Sequence, residues 1–202
     1  MCGRFWIEPE DTAEELAQLL TGLESAMQTK APGFTLPRGE IRPGDLAAVI
    51  APNRQRVPAV FAMRWGFPMD KRLIINARSE TAQARPMFSQ SMKMRRCLIP
   101  ASAYFEWDHR ETKPVKYRFR PRGADMLYLA GIYRMEDSGP VFTVLTREAA
   151  PEIACFHDRM PVIAAPHQAD AWLDADASPE LLLHAPVTTL LWQPESMDAA
   201  SR

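Results

Sequence analysis

Hydrophobic residues follow two different spacings along the chain, and helical spacing is most evident near the amino terminus. Four leucines there fall on one face of a helix, at i, i+3, i+4 and i+7: Leu16, Leu19, Leu20 and Leu23. They predict a helix over Pro9–Leu23, with Thr12 and Glu15 spaced as in a capping box. Residues Thr21–Leu36 that follow have the composition of a loop.

After residue 36, short runs rich in β-branched, aromatic and aliphatic residues predict strands, separated by Pro, Gly, Asn and Asp. The predicted strands are Leu46–Ala51, Val57–Trp65, Leu73–Asn76, Cys97–Ile99, Tyr104–Trp107, Val115–Phe119, Met126–Tyr133, Val141–Leu145 and Pro161–Ala164. No repeat or linker divides the chain. We therefore expect a single domain over residues 1–202, of class α+β, with a strand-rich, barrel-like central sheet and flanking helices.

Three further helices are predicted between and after these strands. Ser79–Met92 and Glu148–Ala154 have helical composition, with Ser79 and Thr146 as candidate N-caps. Ser178-Pro179-Glu180, ahead of three leucines, is typical of a helix that begins with an N-cap and a proline.

Charge is distributed unevenly although the net charge is only -1. Residues 38–122 carry 18 basic and 7 acidic side chains, whereas 1–37 and 123–202 are both acidic. If the central arginines share one face, they form an anion-binding surface. Alternatively, the acidic ends fold back and neutralise them pair by pair.

Composition indicates an ordinary globular domain, with 47% hydrophobic and 24% charged residues. Three cysteines, Cys2, Cys97 and Cys155, fit no disulfide framework, so we expect a reducing cytoplasm. The chain has no signal-peptide pattern and no apolar run of membrane-spanning length. We therefore expect it to be neither secreted nor membrane-bound.

Cys2 follows the initiator methionine, in Met1-Cys2-Gly3-Arg4-Phe5. Removal of Met1 would place a free α-amine and a thiol on adjacent carbons. Such a 1,2-aminothiol condenses with an aldehyde to an imine, and the thiol then closes a thiazolidine ring. The alternative is that Cys2 is an incidental residue, buried as a small hydrophobe.

Four other places carry reactive or stacking side chains near predicted strand ends. Asn76 and Arg78 lie between a strand and a helix, where a phosphate can bind. Glu106 lies among aromatic residues that would raise its pKa, and His157 can exchange a proton near neutral pH. Trp65 offers a surface for base stacking. Each also has a structural explanation: an N-cap, a solvated strand position, a hydrogen-bonded histidine and a core tryptophan.

In this order, five motifs resemble the SOS-response-associated peptidase family, also described as abasic-site processing proteins. They are Met1-Cys2-Gly3-Arg4-Phe5, Trp65-Gly66-Phe67, Asn76-Ala77-Arg78-Ser79-Glu80-Thr81, Phe105-Glu106-Trp107 and His157-Asp158-Arg159-Met160-Pro161. The resemblance implies a β-rich α+β domain that captures abasic sites in single-stranded DNA by a thiazolidine linkage. It also implies autopeptidase removal of Met1, a lyase-like crosslinking activity in the DNA damage response, and no cofactor or metal.

The resemblance also assigns roles to individual residues. It makes Cys2 the nucleophile, Asn76 a holder of the amine and sugar, Glu106 an acid/base that also helps to remove Met1, and His157 the acid/base that opens the sugar ring. Arg4, Arg78, Thr146 and Trp65 become the DNA-binding set. We expect a monomer in the cytoplasm, associated with the nucleoid when DNA is bound.

Two other functions fit parts of the same sequence. An N-terminal-nucleophile amidohydrolase of the glutamine amidotransferase kind also begins Met-Cys-Gly, although no glutamine-holding motif is evident here. A non-catalytic single-stranded DNA binder would need only the basic middle segment.

Zinc binding is disfavoured because Cys155-x-His157 lacks a second ligand pair. The family's tryptophan-bearing loop after Trp65-Gly66-Phe67 is shortened here, so we expect charge to contribute more than stacking to DNA affinity.

Overall fold

The computed structural model describes residues 2–8, 14–28, 31–110, 112–186 and 188–195, of which 15 and 16 are described by their backbone alone. The strands within these ranges are β1 (Phe5–Ile7), β2 (Gly39–Ile41), β3 (Leu46–Pro52), β4 (Pro58–Trp65), β5 (Phe67–Met69), β6 (Arg72–Ile74), β7 (Asn76–Arg78), β8 (Arg96–Ala101), β9 (Ala103–Asp108), β10 (Val115–Pro121), β11 (Leu127–Glu136), β12 (Gly139–Glu148), β13 (Arg159–Pro161), β14 (Ile163–Ala164) and β15 (Leu190–Pro194). The helices are α1 (Glu14–Met27), α2 (Ser79–Ala82), α3 (Pro86–Met94), α4 (Ala169–Leu173) and α5 (Glu180–Leu183).

A closed ring of strands forms the centre of the described fold. Its order is β12, β4, β3, β8 and β11, and β11 pairs back with β12. Closure draws the strands together at Gly131, where a Cβ atom would lie 2.6 Å from Ile99 Cδ1 and 2.8 Å from the Thr143 carbonyl oxygen. The expected α+β domain with a barrel-like sheet is thereby confirmed.

A second sheet packs beside the ring, in the order β15, β10, β9, β1 and β2. Because side chains alternate between faces, one face of this sheet carries Phe5, Tyr104 and Phe119, all buried in the same core cluster as Cys2. The other face carries Trp6. Residues at the start of the chain therefore lie against the core between the two sheets.

The predicted strands all contain strand residues, and the helices required more correction. Helix α1 continues to Met27, so the prediction of a loop over Thr21–Leu36 is wrong for its first seven residues. The predicted start at Pro9 and the Thr12 cap lie outside the described residues. The predicted helix Ser79–Met92 is two helices, because Pro86 begins α3 and breaks the run. Arg78, not Ser79, occupies the N-cap position of α2.

The prediction of a helix over Glu148–Ala154 is wrong. Strand β12 continues to Glu148, and turns follow from Pro151 to Phe156. Thr146 is an interior residue of β12, fully buried, and caps no helix. The late helix α5 is present, but Pro179, not Ser178, occupies its N-cap position. The Ser178 hydroxyl lies one residue earlier and accepts a hydrogen bond from the Glu180 N–H at 3.3 Å.

Sequence patterns missed β1, β2, β5 and β15, each only three to five residues long. Strands this short show no clear alternation by themselves and depend on pairing with longer neighbours. Among the described helices, none has the length and apolar character needed to cross a membrane.

Candidate functional site

Cys2 lies immediately before β1 and is fully buried. The side-chain amide of Asn76 donates a hydrogen bond to the Cys2 carbonyl oxygen at 2.8 Å, which joins residues 74 positions apart. Burial, with a smaller contribution from the charge of Glu106, raises the pKa of the Cys2 thiol above its ordinary range. The thiol is therefore held in its protonated form.

Asn76 is positioned by its neighbours in the ring. It begins β7, which runs parallel to β12 with Asn76 opposite Val144. The preceding residue is fixed as well, because the Trp65 indole N–H donates to the Ile75 carbonyl oxygen at 3.0 Å. This packing holds the Asn76 amide at a fixed position beside Cys2.

Glu106 is a carboxylic acid in the middle of β9 with only 2% of its surface exposed. Burial raises the pKa of Glu106 to about 7, and the nearby charge of Asp158 adds to the increase. Since the charge of Glu106 raises the pKa of Cys2, the two side chains lie within electrostatic range. Glu106 can therefore give or take a proton near neutral pH.

His157 follows the turn segment 151–156, which packs across the second sheet. Phe156 anchors this segment, with its ring 4.6 Å from Tyr117 and 5.3 Å from Phe119 between centroids. Tyr117 is the cross-strand partner of Glu106. His157 is thereby attached to the same side of the sheet as the Glu106 carboxyl.

The protonation of His157 is set by two contacts of its Nδ1 atom. The Arg159 backbone N–H lies 2.9 Å away and needs an unprotonated acceptor, whereas Asp158 Oδ1 at 2.7 Å favours a protonated donor. Burial lowers the pKa of His157. The neutral ring that accepts from Arg159 is thus the form that prevails near pH 7, and its proton resides on Nε2.

Thr146 lies behind His157 rather than on a surface. Its carbonyl oxygen accepts a hydrogen bond from Arg159 at 2.6 Å, and its hydroxyl lies 3.5 Å from the Ala77 carbonyl oxygen. Glu80 holds the same guanidinium through two bonds of 2.7 and 2.8 Å. Thr146 therefore belongs to the framework around residues 157–159.

A groove of about 400 Å³ opens beside Asn76. Two arginines line it, Arg78 and Arg85, together with apolar side chains that include Met69 and Phe88. Arg78 is exposed and makes no hydrogen bond or ion pair with any described side chain. The groove therefore offers a free cation close to the residue that holds Cys2.

Arg4 lies in a cluster of cations on the outer face of the second sheet. Its guanidinium donates to the Gly3 carbonyl oxygen at 2.7 Å and to Glu40 at 3.2 Å. Arg42 and Lys116 bind the same Glu40 carboxylate. These three cations share one carboxylate, so the cluster keeps a positive excess next to the residue that follows Cys2.

The structure assigns Trp65 to the core, the structural explanation that the sequence left open. Its side chain is fully buried, with its ring 5.0 Å from Phe5 and stacked on Phe142 at 6.2 Å. A base could not reach either face of the indole without opening the barrel. The prediction of Trp65 as a stacking surface is corrected accordingly.

Both interpretations of the basic middle segment hold in part. Ion pairs among the described residues join it to the acidic ends: Arg38 with Glu24, Arg56 with Asp174 and Asp176, and Arg118 with Glu195. These pairs remove several arginines from any anion-binding surface. The positive excess that remains around the site comes from the groove arginines and the Arg4 cluster.

This site lies in a chain that matches, over residues 1–198, the family described as SOS response associated peptidase, or SRAP. The chain belongs to the SRAP family. It is 29% identical to the Bacillus subtilis abasic site processing protein YoaM over 72% of this chain and 73% of that protein. It is 30% identical to the Saccharomyces cerevisiae abasic site processing protein YMR114C over 67% of this chain and 40% of the yeast protein. Escherichia coli YedK, also an abasic site processing protein, is 25% identical over 88% of this chain and 82% of YedK.

Solved structures share the SRAP-family fold described above. A crystal structure from Bacteroides thetaiotaomicron superimposes with a TM-score of 0.78 at 18% identity, covering 100% of this chain and 95% of that one. One from Bordetella bronchiseptica gives a TM-score of 0.73 at 22% identity, covering 97% and 100%. At these identities the likeness establishes the fold alone.

Sequence reasoning missed several residues that shape the site. Phe156 adjoins His157 in sequence and Tyr104 lies two residues before Glu106, but aromatic residues are common in cores and gave no separate signal. Lys116 and Arg85 were hidden among many basic residues. Only the pairing of strands and the path of the groove distinguish them from the rest.

Proposed function

We propose that this SRAP-family protein captures abasic sites in single-stranded DNA as a covalent adduct on Cys2. The observation that carries the proposal is the attachment of Cys2 to Asn76, at 2.8 Å, beside a buried Glu106 whose pKa is raised to about 7. An aminothiol next to a group that exchanges protons at neutral pH is suited to condensation with an aldehyde. An abasic deoxyribose supplies that aldehyde when its ring opens.

The reaction begins after Met1 is removed, which frees the Cys2 α-amine. In the tautomer whose Nδ1–H donates to Asp158, neutral His157 takes the proton of the anomeric hydroxyl on Nε2. The bond from C1′ to the ring oxygen breaks as the aldehyde forms, and the proton passes from His157 to that oxygen. The amine attacks the aldehyde carbon, and Glu106 relays two protons in turn from the nitrogen to the oxygen, giving each to the oxygen and regaining one from the nitrogen. The oxygen leaves as water, and an imine remains. The thiol then adds to the imine carbon, and its proton passes to the nitrogen to complete the thiazolidine.

Burial of the thiol suits this order of steps. A protonated Cys2 side chain is a poor nucleophile in the free protein, so the amine reacts first. The thiol becomes effective only when the imine carbon is fixed beside it. We infer that Glu106 also assists the autopeptidase step that removes Met1, since that step too needs proton transfer next to Cys2.

DNA binding in this proposal is electrostatic. Arg78 and Arg85 in the groove would contact phosphates on one side of the captured nucleotide, and Arg4 would contact a phosphate near Gly3. Thr146 contributes through Arg159, and base stacking on Trp65 has no part. A DNA damage response is the setting that suits capture of this lesion.

The deciding experiment incubates matured protein separately with single-stranded abasic DNA and with glutamine. We expect a covalent adduct whose mass equals protein plus DNA minus water, and no ammonia. Ammonia from glutamine without an adduct would indicate an amidohydrolase, and reversible binding alone would indicate a non-catalytic binder. Cys2→Ala is the matched negative variant, and intact mass of the adduct should lack Met1.

A further inference from the structure

Two buried polar atoms near Cys2 have no hydrogen-bond partner within the described part of the chain: Asn76 Oδ1 and the Tyr104 hydroxyl. Asn76 already binds Cys2 through its amide nitrogen. The Tyr104 hydroxyl has no comparable role, and burying it without a partner is unfavourable because it loses its hydrogen bonds to water. An orphaned group of this kind in a folded protein calls for a ligand or a function to explain it.

Strand pairing fixes the position of Tyr104. Tyr104 pairs with Phe5 of β1, which lies three residues after Cys2. It also lies on the same face of β9 as Glu106, which is two residues further along that strand. Its ring stacks on Phe119 at 4.9 Å with an interplanar angle of 14°, and its side chain is fully buried. The hydroxyl is therefore held rigidly between the strand that carries Glu106 and the segment that carries Cys2.

Tyr104 gives the site a neutral donor that takes no part in proton exchange and that no described residue occupies. Among the described side chains around Cys2, Glu106 and His157 exchange protons, and Asn76 uses one amide N–H to hold the Cys2 carbonyl oxygen. Arg4 is bound to Gly3 and Glu40. Burial, together with the nearby Cys2 and Glu106, raises the pKa of Tyr104, so its hydroxyl keeps its proton. A carbonyl under attack needs such a donor, because negative charge develops on its oxygen.

We propose that the Tyr104 hydroxyl donates a hydrogen bond to the aldehyde oxygen of the ring-opened deoxyribose while the Cys2 amine attacks the carbonyl carbon. The C–N bond forms as the carbonyl π electrons move to the oxygen, which takes up a proton from Glu106. The nitrogen returns a proton to the Glu106 carboxylate, a second transfer of the same kind lets the oxygen leave as water, and the C=N bond of the imine forms. Tyr104 stabilises the developing charge and retains its own proton throughout. This inference rests on the proposed capture of abasic sites and adds a catalytic residue to it.

Tyr104→Phe is the direct test, because it deletes the hydroxyl and preserves the stacked ring. Under single-turnover conditions we expect crosslinking to slow by about 10- to 100-fold, toward the lower end of what one oxyanion donor contributes. Final adduct yield and non-covalent affinity for DNA should stay at the wild-type values. The thermal midpoint should be unchanged or slightly higher, since an unpaired buried group is removed. Tyr133→Phe, in β11 of the barrel, is the matched control.

Fluorotyrosine provides a second readout that packing alone would not change. Fluorination lowers the phenol pKa and strengthens the hydrogen bond that it donates, so labelled wild type should crosslink faster and with a shifted pH profile. The same label in Tyr104→Phe should have no effect, which excludes the other three tyrosines.

The outcomes separate this inference from the proposed function. A wild-type protein that forms no adduct refutes the capture of abasic sites itself. A wild type that forms the adduct, with Tyr104→Phe crosslinking at the same rate, refutes only the role of Tyr104. A slower Tyr104→Phe that also loses thermal stability, together with a wild type whose crosslinking rate fluorination does not change, would likewise assign Tyr104 to packing.

Discussion

At the scale of single residues, the site depends on groups whose burial opposes their usual ionisation. Glu106 lies in a strand of the core where water cannot solvate a charge, and its pKa rises to about 7 as a result. His157 changes in the opposite direction for the same reason, because burial disfavours its cationic form. A neutral acid and a neutral base can therefore coexist near pH 7.

Glu106 should make the stability of the fold depend on pH. A carboxyl group whose pKa is raised by folding stabilises the protein at pH values below 4.5, its pKa in the unfolded chain. This stabilisation is lost as the pH rises through about 7. Above pH 7, Glu106→Gln should therefore be more stable than wild type, by roughly 3 kcal/mol in the free energy of unfolding. Denaturant titrations at pH 5 and pH 8 measure the difference, and equal gains at both would contradict it.

Crosslinking itself should follow a bell-shaped pH profile. The rate should rise as His157 loses its proton below 6.5 and fall as Glu106 ionises through about 7. His157→Ala should remove the acid limb and Glu106→Gln the alkaline limb, each with a loss of about 10²- to 10⁴-fold. Single-turnover rates between pH 5 and pH 9 provide the test, and wild-type rates in both variants would return these residues to structural roles.

At the scale of secondary-structure elements, short segments carry the functional side chains and the long barrel strands position them. Strand β7 delivers Asn76, and the segment after β12 delivers His157. Helix α2 contributes through Glu80, which binds Arg159 of β13. The site thus depends on contacts between elements distant in sequence.

The Glu80–Arg159 pair should stabilise the junction of α2 and β13 in a pH-dependent manner. Arg159 lowers the pKa of Glu80 to about 2, so the stabilisation is present above 4.5 and is lost as pH falls towards 2. Because Glu80 is 48% exposed, we expect under about 1 kcal/mol. Thermal midpoints of Glu80→Gln and wild type should differ at pH 7 and converge near pH 2, with Glu152→Gln as the control.

Much of this element structure could be predicted, for identifiable reasons. The strands of the ring have continuous apolar runs, so their patterns were evident from Leu46 onward. The proposed helix after Thr146 failed because tertiary pairing with β13 extended β12 instead. Trp65 could not be assigned from sequence, since a stacking residue and a core residue have the same composition. Cys2, Asn76, Glu106 and His157 could be proposed, but their proximity could not be predicted before the pairing of β7 with β12 was known.

At the scale of the whole molecule, unneutralised positive charge remains where the acidic ends of the chain form no ion pairs. The ends neutralise Arg38, Arg56 and Arg118, whereas the groove and the cluster around Glu40 retain a positive excess. The net charge of -1 therefore conceals a local field that attracts a polyanion.

Non-covalent binding to single-stranded DNA should weaken steeply with salt. Arg78→Ala and Arg85→Ala should each flatten the log–log salt slope by about 0.7, the value for one phosphate contact. Arg56→Ala, whose cation is held by Asp174 and Asp176, is the matched control. Trp65→Phe should lower thermal stability and leave the slope unchanged. A salt-insensitive complex would overturn this account.

Glu40 should restrain DNA affinity, because it neutralises part of the cluster formed by Arg4, Arg42 and Lys116. Glu40→Gln should strengthen binding at low salt and steepen its salt dependence, as one negative charge is removed. Fluorescence anisotropy across a salt series measures both quantities. Weaker binding by Glu40→Gln would mean that the carboxylate orients the three cations for DNA.

Burial of Cys2 also determines how the protein withstands oxidants. Peroxides and alkylating reagents attack thiolates, and a buried thiol with a raised pKa presents almost none. Cys155 is exposed and should be modified first, while Cys97 is as buried as Cys2. The proposed nucleophile would thereby be preserved under the oxidative conditions that damage DNA, and its reactivity would be reserved for a carbonyl brought into the site.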